Sequence, residues 1–132
     1  MLTPLKWQFS KLFPLKLVLL NKQDSYTLIK IVNMDTLKKF ELMEKIVREL
    51  EDLQHSQQAI IQKIGKIEVD NIELGDKKLD KDLPDMHQRV ADNLDSIVDI
   101  LAYFADKTQN FGNKNNVDAL KEQQSINEAT GH

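Results

Sequence analysis

From Met43 to Ile67 the chain places Met43, Ile46, Leu50, Leu53, Gln57, Ile60, Ile64 and Ile67 at alternating intervals of three and four residues, and all but Gln57 are apolar. That period holds one stripe of a helix toward one neighbour over successive heptads, whereas a half-buried strand would alternate every second residue. Val47 and Ile61 widen the stripe. Such a surface cannot be left in water, because full burial of a Leu or Ile side chain stabilises by about 1.5–3 kcal/mol. The spacing therefore predicts a helix over about 36–66, with Asn33 or Asp35 able to cap its start, and it demands a second apolar element to cover it.

The covering element is legible further along the chain. Asp82-Leu83-Pro84-Asp85 has the order of a helix start, with an acidic N-cap, a first-turn proline and a third-position acid. His87, Val90, Leu94, Ile97, Leu101 and Phe104 then repeat the same spacing as far as about Lys107, and Gly112 lies beyond as a candidate C-cap. Val98, Ile100 and Tyr103 broaden this face enough to touch two neighbours. The expected fold is all-α, an antiparallel helical hairpin with coiled-coil-like heptads that completes a bundle by self-association.

Charge divides the chain unevenly. Residues 1–33 carry five lysines against Asp24, a balance of +4, so the net −3 leaves −7 on the remainder. Three regions are expected: a basic, apolar N-terminal extension over 1–33, a helical hairpin domain over 34–112, and a polar tail over 113–132 with at most a short helix. The β-branched and aromatic run Tyr26–Val32, after the polar Asn21–Asp24, predicts a short β-hairpin within 16–32. A second reading makes Met34 the start of the working protein and 1–33 an upstream extension. Lys11, Pro14 and Lys16 interrupt what a secretory signal would need as an uncharged apolar core. Residues 65–82 admit a helix to about Glu68 with a loop from Gly75, or a small hairpin about Asp70-Asn71.

The chemistry-bearing residues make no convincing catalytic set. There is no cysteine, hence no thiol nucleophile, disulfide or thiolate zinc site, and this fits a cytoplasmic, reducing compartment. His55, His87 and His132 show no helical metal-ligand spacing, and Glu49/Asp52 and Asp92/Asp95/Asp99 read as solvated faces. Four glycines leave little material for a phosphate-binding loop. No enzyme activity, cofactor, metal or small-molecule substrate is expected. The expected function is that of a protein–protein interaction module, a helical adaptor, chaperone-like or accessory factor. It acts through Met43, Ile46, Leu50, Leu53, Gln57, Ile60, Ile64, Leu94, Ile97, Leu101 and Phe104, against a second copy in a homo-oligomer or a helical partner. Gln57 amid apolar neighbours suits a register-setting contact. The alternatives rest on Trp7, Phe9 and Phe13 among Lys6 and Lys11: residues 1–20 could meet a membrane surface, or a small accessory protein could bind nucleic acid through them, although the net charge does not favour nucleic acid.

Overall fold

The computed structural model describes residues 22–131, which are all-α. Among them three helices follow in order: α1 over Lys22–Leu74, α2 over Lys77–Lys114 and α3 over Val117–Ala129. The chain divides into two compact units at Lys38, inside α1. In the first, residues 22–38 are helical and largely exposed, with Tyr26, Ile29, Ile31 and Val32 open to solvent and Leu37 buried.

The expected β-hairpin over 16–32 is not formed in its described part. Residues 22–32 belong to α1, and residues 16–21 lie outside the described residues. Strand propensity is a weak and context-dependent preference, whereas extending an existing helix adds a hydrogen bond for each residue fixed. No proline or glycine separates Lys22 from Ile64, so nothing in the chain stops the helix from reaching back through Met34.

The second correction concerns residues 65–82. α1 continues past Glu68 to Leu74, only Gly75 and Asp76 stand outside helix, and α2 begins seven residues before Pro84. Asn71 explains the difference. Its Nδ2 donates to the Asp76 carbonyl at 3.0 Å and to Asp80 Oδ1 at 2.7 Å, while its Oδ1 accepts from the Asp76 N–H at 3.0 Å. Asp76 then caps α2, its Oδ1 accepting from the N–H groups of Lys78 and Leu79 at 3.0 and 2.9 Å. The Asp82-Leu83-Pro84-Asp85 pattern only imitates a start. Pro84 sits inside α2 and leaves the Asp80 carbonyl without its usual helical donor, a cost of about 3 kcal/mol in an ordinary helix interior.

Gly75 has φ +73°, the left-handed conformation that side chains resist. Gly75→Ala is accordingly expected to cost about 1–2 kcal/mol, read as a lower urea midpoint with an unchanged slope.

At its other end α2 runs past Lys107 to Lys114, so Gly112 lies within the helix instead of capping it, and Asn115 is the C-cap. Gly112 has a packing role. A Cβ there would come 2.8 Å from Cε2 of Phe40, so the missing side chain makes room for that ring. Phe40 stacks on Phe111 with ring centroids 6.4 Å apart and planes 13° from parallel. Lys121 of α3 places Nζ 4.9 Å from the Phe40 centroid and 3.7 Å from a Glu44 oxygen, and Lys39 sits 5.2 Å from the Phe111 centroid. Asn116 turns the chain into α3 in the left-handed region at φ 50°, a conformation asparagine tolerates, and Val117 is 1% exposed.

Candidate functional site

Side chains of α1 and α2 meet at two widely separated places. Near the link His87 Nδ1 lies 3.2 Å from Glu68 Oε1, and at the far end Phe40 stacks on Phe111. From Phe40 to Asn71 the covered or half-covered stripe of α1 passes through Phe40, Met43, Val47, Leu50, Gln54, Gln57, Ile61, Ile64, Glu68 and Asn71, at intervals of three and four, with Glu44 and Gly65 half-covered beside it. On α2 the matching stripe passes through Leu83, His87, Val90, Leu94, Ile97, Leu101, Phe104, Thr108 and Phe111.

The residues singled out from the sequence thus fall into two groups. Met43, Ile64 and Ile97 are buried, and Leu50, Gln57, Leu94, Leu101 and Phe104 are half-buried on the stripes just described. Ile46, Leu53 and Ile60 are exposed. The apolar face of α1 is broader than one seam: Met43, Leu50, Gln57 and Ile64 belong to both spacings, while Val47 and Ile61 on one side are covered and Ile46, Leu53 and Ile60 on the other are not. Ile67 and Leu74 extend the uncovered flank. Ile46, Leu53, Ile60, Ile67 and Leu74 recur every seven residues, and the first four are 38–46% exposed, which is unusual for a regular row of Leu and Ile.

On α2 Met86 and Ile100 are exposed at the corresponding positions, one before the half-buried His87 and Leu101, with Tyr103 nearby. Neither Met86 nor Leu74 is singled out by the spacing rule; Leu74 is legible as a continuation of the seven-residue row from Ile46, whereas on α2 Asn93 stands between Met86 and Ile100. Glu44, which Lys121 meets, lies on the opposite edge of the α1 stripe, so α3 leaves this row open.

Other chemistry is sparse. His87 pairs with a carboxylate rather than packing by its ring alone, and His55 is exposed. Among the described residues no three His, Asp or Glu side chains gather so as to hold a metal ion, and no helix is long and apolar enough to cross a membrane. Thr108, a polar residue in the covered row, donates its hydroxyl to the Phe104 carbonyl at 2.8 Å. The basic aromatic segment behind the membrane and nucleic-acid alternatives lies within residues 1–20, outside the described residues. Comparison with protein-family models, curated proteins and solved structures finds no match to this chain.

Proposed function

We propose that the chain is a non-enzymatic protein–protein interaction module, in which α1 and α2 form an antiparallel, coiled-coil-like hairpin that binds another helical surface through its uncovered flank. The observation that carries this reading is the row Ile46, Leu53, Ile60, Ile67, extended by Leu74, left in solvent beside a stripe of the same helix that is covered. In an antiparallel pair the flank of α2 bearing Met86 and Ile100 falls on the same side as this row, so the open surface spans both helices. Burying it against a helix of similar character would remove apolar area at about 25 cal/mol per Å² and fits the helix-on-helix mode of recognition.

Leu53→Asp tests the reading more cleanly than a change at Leu50, whose side chain is half-covered and would disturb the fold as well. The variant is expected to keep its helical circular dichroism while losing association, measured as mass in solution over a concentration series and as capture of helical partners. Unchanged association of Leu53→Asp would refute a role for this flank.

A further inference from the structure

The uncovered flank has a self-complementary pattern, and we infer that its occupant is a second copy of this chain, with α1 packed antiparallel against the partner's α1 about a two-fold axis near Ser56 and Gln57. This rests on the helix-face reading above and specifies its partner. An axis at that point sets Leu53 opposite Ile60 of the partner copy and Ile46 opposite Ile67 of the partner copy, so these four residues of the row lie on their counterparts, with Leu74 beyond them. Ser56 is small and exposed beside the row, which lets the two helices approach where they cross.

Charge selects the direction. Glu49 and Lys63 stand seven residues on either side of Ser56, both exposed at the edge of the row, and neither is ion-paired with another described residue. Antiparallel pairing puts each Glu49 across from a Lys63, twice per dimer. Parallel pairing in register would put Glu49 across from Glu49 and Lys63 across from Lys63, juxtaposing like charges. The alternative of laying α1 on the partner's α2 is less favourable, because the corresponding α2 positions are Met86, Asn93, Ile100 and Lys107, a row broken by an amide and an ammonium.

The absence of cysteine makes the test direct, since a single introduced thiol is the only labelling site. Spin labels on Ser56→Cys are expected to lie close together in the full-length dimer. Labels on Asp70→Cys are expected about 40 Å apart, from two helical runs of 13–14 residues at 1.5 Å each. Short distances at both positions would mean parallel pairing and would overturn the inference. Glu49→Lys is expected to weaken self-association about three- to tenfold, and the double change Glu49→Lys with Lys63→Glu to restore it; additive weakening by the two changes would also overturn it. A native chain that stays monomeric at every concentration, yet captures a helical partner that Leu53→Asp does not, would sink self-pairing and leave the helix-face reading standing. Self-association that Leu53→Asp leaves intact would sink both.

Discussion

Ile64→Ala is expected to lower the stability of the folded chain by about 2–4 kcal/mol, while Ile67→Ala, three residues on, should change it by no more than about 0.5 kcal/mol in dilute solution. The two side chains are chemically identical and one helical turn apart, but Ile64 is 4% exposed and Ile67 46%. Truncating the first removes buried methyl and methylene groups and leaves a void between α1 and its covering residues. Truncating the second removes atoms with nearly half of their surface already in water, and alanine is the better helix former. Urea unfolding at micromolar and at near-millimolar concentration separates the effects further. Ile64→Ala should lose the same amount at both, because its contacts lie within one chain. In the proposed dimer Ile67→Ala should lose more at the higher concentration, because association would stabilise only the folded form and the variant would associate less. A concentration-independent loss at Ile67 equal to that at Ile64 would place both residues in the same core.

Asn71→Ala is expected to cost about 2–3 kcal/mol, a large effect for removing one neutral polar side chain. Asn71 is 3% exposed, and its amide serves as donor twice and acceptor once, holding the end of α1, the link and the first turn of α2 in one arrangement. Asn71→Asp tests the same arrangement with nearly unchanged volume. A carboxylate can still accept from the Asp76 N–H but cannot donate, and it would face Asp80 Oδ1, which the native amide meets at 2.7 Å. Two carboxylates at that separation repel, so Asn71→Asp should fall further below the native chain at neutral pH than at acidic pH, where protonation removes one charge and supplies a donor. A deficit that does not shrink as pH falls would show that the Asp80 contact contributes little.

The all-α class and the presence of helix over 36–66 and 84–107 were legible because a three–four spacing is the physical signature of an amphipathic helix, although both helices extend beyond those bounds at each end. What the spacing could not decide was which edge of α1 the chain itself would cover. Met43, Leu50, Gln57 and Ile64 fit equally well with Ile46, Leu53 and Ile60 or with Val47 and Ile61, and only the partner's position separates the two sets. The link was obscured for a different reason. Gly75 and Asp76 make a turn too short to show as a drop in apolar content, and Asn71 acts through bonds to residues five and nine positions away. Meanwhile Asp82-Leu83-Pro84-Asp85 offered a local start signal that the earlier cap at Asp76 overrides. Tyr26–Val32 carries strand propensity, but the uninterrupted helix that follows draws it into α1.

The short link also governs whether copies of the chain can trade parts. Were Gly75 and Asp76 to become helical, α1 would run straight into α2 as one rod, and two molecules could then complete each other by exchanging α2, the usual hazard of a brief hinge. That straightening would forfeit the bonds Asn71 makes to Asp76, and the left-handed backbone at Gly75 would have to be abandoned. The bonds of Asn71 and the left-handed Gly75 therefore oppose that straightening. Copies held only by their outer flanks can mix with labelled molecules on simple dilution, whereas exchanged ones would first have to unfold.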